Sequence, residues 1–315
     1  MKVFVAGATG ALGRNLLPQL TAAGHEVTGL TRTASKQDLV RSLGARPVVG
    51  DALDPDAVAR ALAEAEPDVI VHQLTALSES IDMRHFDRDF AQTNRLRTEG
   101  TDHLLAAGRA VGVERFVAQS YAGWPFARTG GPVKAETDPL DPSPPAGLRT
   151  TLDAIRYLER AVTGAGWTKG IVLRYGGFYG QGTSFSVKPD GEHVALIRRR
   201  KFPLVGDGAG VWSFVHIEDA ASATVAAIER GEQGVYNVVD DEPAPVSEWL
   251  PAAASAVGAK PPRRVPRWLG RIAAGEAATV MMTEVRGASN EKAKRELGWS
   301  LRYPSWRQGF ANGLG

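Results

Sequence analysis

The residues with the clearest chemistry stand at the start of the chain. "GATGALG" carries Gly7, Gly10 and Gly13 directly after the apolar run "KVFVA" and directly before the helix-like "ALGRNLLPQL". Glycine at those places permits a tight turn, close backbone approach to a ligand and close packing of the helix on its strand. The helix N-terminus then offers free amide donors and a positive dipole end, which suits a pyrophosphate. A glycine triplet alone says little, but strand, turn and helix in that order make it the signature of a dinucleotide site. The second apolar run ends in "GLTR", with Arg32 at its tip and Lys36 close behind. A carboxylate there would hold a ribose 2′-hydroxyl, whereas a guanidinium suits a 2′-phosphate and can stack on adenine. The expected cofactor is therefore NADP, in reduced form NADPH. Asp51 ends the third run in "VVGD", where it can accept from the adenine amino group or cap the turn that follows.

A second stretch has the setting for chemistry without the residues. "RTTLDAIRYLERAV", Arg149 to Val162, repeats Leu152, Ile155, Leu158 and Val162 at three and four residues and predicts an amphipathic helix. Thr151 and Ile155, one turn apart, offer neither a general acid nor a cation. Tyr157 does not substitute for them, because six residues at ~100° each carry it well off that face.

The elements that must position these groups alternate through the first half. Strand-like "KVFVAGA", "EVTGLTR", "ARPVVGD", "DVIVHQL" and "RFVAQS" are separated by helix-like "ALGRNLLPQLTAAG", "SKQDLVRSLG", "DPDAVARALAEA" and "NRLRTEGTDHLLAAGRAVG". That order predicts a doubly wound α/β fold, a parallel sheet covered on both faces with its ligand edge at the strand C-termini. "GWPFARTGGPVKAETDPLDPSPPAG" is a long loop by its Gly, Pro and Asp content. Strand-like "KGIVLRYGGFYG", a loop-rich stretch to Gly210, strand and helix "SFVHIEDAASATVAAIERG", strand "GVYNVVDD" and a mostly helical tail complete the chain.

Bulk composition narrows the function classes. A net charge of 37 − 35 = +2 gives no electrostatic reason to expect a nucleic-acid or membrane partner. The absence of cysteine removes disulfides, thiolate nucleophiles and Cys-ligated metals, and no His/Asp/Glu group has metal-ligand spacing, so no metal is expected. "MKVFVAGATG" has no signal-peptide layout and no apolar run reaches the ~20 residues of a membrane span, so a cytoplasmic location is expected. His72 reads as a satisfied strand-end histidine, and His216 as the organiser of the turn in "FVHIED". The basic run Arg198 to Lys201 reads as a solvated helix end.

"GATGALG", "GD" at 50–51, "TN…EGTDHLLAA", "RFVAQS", "LRYGGFYG", "SFVHIEDAA" and "ASNEKAKRELGW" occur in this order over nearly the whole chain. Together they resemble the extended short-chain dehydrogenase/reductase family of the NAD-dependent epimerase/dehydratase type. The resemblance implies a Rossmann domain, about 1–176 with returning segments about 213–230 and 235–241. A smaller mixed α/β substrate domain would take about 177–212 and 242–315. It implies that Gly7, Thr9, Gly10, Leu12 and Gly13 form the pyrophosphate turn. Leu74, Thr75 and Ala76 would lie along the cofactor ribose, and Asn94, Tyr175 and Gly176 would join the cofactor site. Ser120 would lie beneath the nicotinamide, and the family's frequent homodimer would form through the apolar stripes of "NRLRTEGTDHLLAAG" and of the helix at 149–162.

The departures from the family carry as much weight. Its catalytic helix holds Tyr-x-x-x-Lys, often with a glutamate four residues on. Setting that glutamate at Glu159 puts Ile155 at the lysine and Thr151 at the tyrosine. A threonine hydroxyl can hydrogen-bond a substrate but is far too weak an acid for neutral pH. Where the family has a Ser/Thr just after the fifth strand, this chain has Tyr121, a phenol able to reach a substrate carbonyl from across the pocket. We therefore expect Tyr121 as hydrogen-bond or proton donor, with Thr151 and Ser120 beside it. Sugar-nucleotide members commonly read "RYFNVYG" and "RDFxHVDD"; here Gly177 replaces the asparagine and Trp212 the arginine. Glycine and indole remove phosphate-binding capacity and add apolar area. Trp124, Phe178, Tyr179 and Trp212 would line a pocket for a small or apolar substrate. The expected activity is NADP(H)-dependent hydride transfer to or from a carbonyl, imine or activated alkene. The rival readings are a non-catalytic NADP-binding sensor and a sugar-nucleotide epimerase or dehydratase.

Overall fold

The computed structural model describes residues 1–77, 81–189 and 191–315. The first half alternates as its periodicities require. β1 (Lys2–Ala6), α1 (Ala11–Ala22), β2 (Glu26–Thr31), α2 (Gln37–Ser42), β3 (Arg46–Val49), α3 (Pro55–Ala65) and β4 (Val69–His72) follow one another. Then come α4 (Phe86–Asp89), α5 (Ala91–Arg97), α6 (Glu99–Ala110) and β5 (Arg115–Tyr121). The long loop holds one two-residue strand, β6 (Val133–Lys134), and leads into α7 (Arg149–Thr163) and β7 (Lys169–Tyr175). Beyond lie β8 (Gly177–Tyr179), α8 (Glu192–Arg198), β9 (Leu204–Val205), β10 (Val211–Trp212), β11 (Phe214–His216), α9 (Ile217–Arg230) and β12 (Gly234–Val238). Short pairings and the helices α10 (Val246–Ala256) and α11 (Arg267–Thr283) dominate the tail.

Seven strands form one sheet in the order β12-β7-β5-β4-β1-β2-β3, and every pairing in it is parallel. This is the doubly wound, Rossmann-type α/β class expected from the sequence. Chain order reverses between β1 and β4, and such a switch point opens a crevice at the strand C-termini. The turn after β1 and the segment after β4 are its two walls. Leu16, Leu17 and Leu20 of α1 are fully buried with Val117 and Ala227 on one face of the sheet. Leu104, Leu158 and Val162 cover the other with Phe116. Each such side chain contributes about 1.5–3 kcal/mol of burial. A separate cluster forms around fully buried Trp249 with Phe185, Phe214 and Phe310.

Three local expectations change. The helix expected over 94–112 is broken at Thr98 (φ −100, ψ −83), whose hydroxyl bonds back to the Asn94 carbonyl at 3.0 Å. The strand expected through "LRYGGFYG" ends at Tyr175, and β8 leaves the large sheet to pair with β11. Gly176 makes the crossing, since a Cβ there would lie 2.7 Å from the Ser213 carbonyl oxygen. The apolar stripes invoked for a homodimer face inward, with Leu104, Leu152, Ile155, Leu158 and Val162 all buried in the protomer. The outer surface instead carries the Arg95–Glu99 ion pair and the Tyr157 hydroxyl bonded to Asp102. Among the described residues no helix is long and apolar enough to cross a membrane.

Candidate functional site

The outer half of the crevice is built from backbone. Gly7 has φ +106, and a Cβ on it would sit 2.6 Å from the Gln73 carbonyl oxygen. A Cβ on Gly13 would meet the Gly7 carbonyl oxygen at 2.3 Å, so helix and turn touch as only glycine allows. The Gly10 amide closes the turn on the Gly7 carbonyl at 3.1 Å. No side chain caps the N-terminus of α1 and its first turn holds no acid, so its amides are left for an outside anion. Thr9 gives its carbonyl to the Arg14 Nε at 3.0 Å, and Leu12 is buried in the core beneath. Arg32 and Lys36 are exposed, and among the described residues nothing bonds or pairs with either side chain. Asp51 is exposed, with Oδ1 accepting from the Leu53 amide at 3.0 Å. Its capping role is thus visible, and it leaves Oδ2 free.

Deeper in, side chains take over. Gln73 Nε2 donates to the Tyr175 hydroxyl at 3.2 Å, while Gln73 Oε1 is buried without a partner. The Ala76 amide donates to Thr93 Oγ1 at 3.0 Å, fixing the segment Leu74–Thr75–Ala76, and the Leu74 amide donates to His72 Nδ1 at 3.3 Å. His72 itself is satisfied by the Leu96 carbonyl and Thr101, and burial pushes its pKa down to about 4. Asn94 Nδ2 donates to Thr151 Oγ1 at 3.0 Å, and Asn94 Oδ1 is a second buried oxygen without a partner. The glycine cradle, packed against Gln73, and the uncapped amides of α1 fit a dinucleotide in this crevice.

Two expected site residues turn out to be committed elsewhere. The Thr151 hydroxyl donates to Asp87 Oδ1 at 2.6 Å and accepts from Asn94, and the residue is fully buried. It is a joint between α5, α7 and Asp87 and has no hydrogen left for a substrate. Tyr175 is buried too, its hydroxyl held by Gln73 and 2.7 Å from Thr224 Oγ1, so it braces the strand edge. Asp87 also accepts from the Thr150 and Thr151 amides, at 3.0 and 2.9 Å, and so caps α7. Asp87→Ala removes that cap and strands a buried hydroxyl. We expect a loss of about 2–4 kcal/mol, read as a lower urea midpoint at unchanged slope.

Beneath this lies a buried charge cluster. Glu159 accepts two bonds from Arg174, at 2.7 and 2.6 Å, and one from Ser120 Oγ at 2.7 Å. The Ser120 hydroxyl is therefore spent on Glu159, which makes Ser120 a positioning residue. Arg97 of α5 faces the same carboxylate and has buried Nη1 without a partner.

Tyr121 ends β5 at a cavity of about 30 Å³ lined by Gly123, Trp124, Trp212, Ser213, Met281 and Val285 among others. The structure thus brings Trp212 to Tyr121 and Trp124, some ninety residues earlier in the chain. Trp212 Nε1 donates to the Met281 carbonyl at 2.7 Å, locking the indole in the wall. Phe178 and Tyr179 do not join them. Phe178 tilts against Tyr175, and Tyr179 is fully buried between His216 and Phe310. His216 orders its turn as expected, accepting the Glu218 amide at 3.2 Å. No described residue hydrogen-bonds the Tyr121 hydroxyl, and burial pushes its pKa up to about 12. Among the described residues there is no group of His, Asp and Glu that could hold a metal ion.

Asp87, Gln73, Arg97, Met281 and Val285 were not singled out from the sequence. Only Arg97 left a signal: a cation in phase with Asn94, Thr101 and Leu104 on the inward face of its helices.

The pattern of the NAD dependent epimerase/dehydratase family matches residues 3–239. The chain is 46% identical over 311 residues to a 3-diazoavenalumate denitrifying reductase of a Streptomyces species, covering 98% of this chain and 99% of that one. It is 28% identical over 324 residues to a 4-hydroxy-2-methyl-3-oxo-4-farnesyl-3,4-dihydroquinoline-1-oxide ketoreductase of Stigmatella aurantiaca, covering 96% and 92%. Among solved structures, the UDP-glucose 4-epimerase of Thermus thermophilus in complex with NAD superposes with a TM-score of 0.74 at 26% identity, covering 100% and 98%.

Proposed function

The chain belongs to the NAD dependent epimerase/dehydratase family, and within it we propose an NADPH-dependent reductase that works without the family's acid–base pair. Its acceptor is an electron-poor group on a small aromatic molecule, and the group that suits the site best is an aryl diazo group lost as dinitrogen. The single observation that carries this reading is that the described residues of the site offer no working acid: the Thr151 hydroxyl is given to Asp87, Ile155 is apolar, and burial pushes the pKa of Tyr121, the phenol in the cavity lining, up to about 12. A group with a pKa near 12 is a poor general acid at neutral pH.

Bound NADPH supplies a hydride. Hydride addition to a carbonyl leaves an alkoxide that demands a proton. A diazonium group makes no such demand: Ar–N2⁺ plus H⁻ gives Ar–H plus N2, with the C–N bond broken and no proton required. A site with Thr151 and Ile155 where the tyrosine and lysine would stand is matched to that chemistry. Trp124, Trp212 and Tyr121 in the cavity lining support it as well, since aromatic rings attract a cationic group. The 46% identical relative, a 3-diazoavenalumate denitrifying reductase, supports the same acceptor. Arg32 and Lys36 support NADPH over NADH, and the free amides of α1 support the pyrophosphate.

A second reading keeps the carbonyl acceptor expected from the sequence. It is favoured by the unpaired Tyr121 hydroxyl and by the ketoreductase relative. Comparison of kcat/KM for an aryl diazo acid and for the matching aryl ketone, each with NADPH, separates the two. The diazo reading requires the diazo compound to be preferred.

A further inference from the structure

Arg97 is only 8% exposed, and among the described residues its Nη1 has no hydrogen-bond partner. No described residue forms an ion pair with it; its nearest favourable charge is Glu159, and its guanidinium lies 6.0 Å over the Phe90 ring. Burying a cation so incompletely paired is costly, and such a group persists where a ligand completes it. Its position identifies the ligand. Asn94 of α5 bonds Thr151 of α7, and Asp102 of α6 bonds Tyr157, so the helices run side by side in register. Arg97 falls between those two contacts. Thr151, Ile155 and Glu159 share one face of α7, so a side chain that leaves α5 after Asn94 and feels Glu159 passes Ile155. Phe90 stacks on Phe86 at 4.1 Å, and Phe86 meets Trp124 of the cavity edge-on at 5.8 Å. Arg97 therefore sits between the Asn94–Thr151 and Asp102–Tyr157 contacts, with Glu159 as its nearest favourable charge and the Phe90 ring, which leads through Phe86 to Trp124, beside it.

We infer that Arg97 supplies, from α5, the buried cation that α7 lacks at Ile155, and that it grips the nicotinamide-ribose hydroxyls of the cofactor. This rests on the cofactor reading above. Charge is kept while its origin moves from one helix to its neighbour. Because Glu159 is already held by Arg174 and Ser120, the Arg97 donors are available to the ribose.

The test compares two ligands that differ in the nicotinamide half. Dissociation constants of NADPH and of 2′,5′-ADP are measured for the wild-type protein, Arg97→Met and Arg97→Lys. Arg97→Met is expected to weaken NADPH about 10- to 100-fold while 2′,5′-ADP changes less than about twofold. Arg97→Lys is expected to stay within about fivefold of wild type for both, and it carries the test if the methionine variant does not fold. An unchanged ratio of the two constants in Arg97→Met, or a lysine variant as weak as the methionine one, overturns the inference and leaves Arg97 a structural partner of Glu159 and Phe90. Should the wild-type protein prefer NADH, the ratio is taken between NADH and AMP. The result then reads Arg97 alone and separates its failure from that of the coenzyme preference.

Discussion

Arg32→Glu is expected to invert the coenzyme preference, shifting the ratio of NADPH to NADH affinity by about 100- to 10,000-fold. The expectation follows from where the side chain sits. Arg32 directly follows the last residue of β2, exposed and unpaired among the described residues, with Lys36 four residues on. Nothing in the fold depends on it, so its replacement leaves the sheet and the glycine turn intact. A 2′-phosphate would lose a bidentate, charge-assisted contact and gain a repulsive carboxylate. A 2′-hydroxyl would gain the acceptor it lacks in the native chain. Fluorescence titration of both reduced coenzymes against both proteins checks this. A variant that still favours NADPH to the same degree shows that Arg32 does not read the 2′-phosphate.

Tyr121→Phe is expected to lower kcat/KM for a carbonyl acceptor about 10- to 100-fold, the worth of one hydrogen bond to a developing alkoxide, and to leave the aryl diazo acceptor, which takes no proton, within about threefold. The pH dependence is the more telling part. Burial raises the Tyr121 pKa to about 12, and among the described residues no cation lines its cavity. The phenol is therefore neutral at every ordinary working pH. The ratio of wild-type to variant rate should be flat from about pH 6 to pH 10 and should fall only as pH approaches 12. The same shift has a stability consequence of defined sign. The native state holds this proton more tightly than the unfolded chain, whose tyrosine titrates near about 10. That contribution is therefore complete below about pH 10 and is lost as pH rises towards 12. A break in the rate ratio near neutrality would mean instead that Tyr121 is tuned as a working acid, and would favour the carbonyl acceptor.

The parts of the molecule legible in the sequence were the local ones. Gly7, Gly10 and Gly13 announce their turn because strand, turn and helix are consecutive, and the parallel sheet follows from alternating periods. Glu159 set the register in which Thr151 and Ile155 are expected at the Tyr-x-x-x-Lys positions, and Glu159 proves to be the anchor of a buried cluster with Arg174 and Ser120. What was illegible depends on chain segments far apart. Nothing in "FDRDF" announces that Asp87 will cap α7 more than sixty residues later, and only that contact reveals that Thr151 has no proton to give. Tyr121, Trp124 and Trp212 were each plausible pocket residues, but Tyr179 was equally so and lies in the core. An alternating pattern says which face a residue takes and not which cluster that face meets.

The proposed step is hydride transfer from NADPH to the aryl carbon that bears the diazo group, which leaves as dinitrogen. It is tested most directly with NADPH deuterated at the transferable position, an aryl diazo acid and catalytic amounts of protein, with the uncatalysed rate subtracted. The expected result is one coenzyme oxidised and one dinitrogen released per arene formed, with one deuterium on the carbon that bore the diazo group. NADPH that binds tightly but is not oxidised faster than without protein, across diazo and carbonyl acceptors alike, would contradict it and leave a binding protein in place of an enzyme.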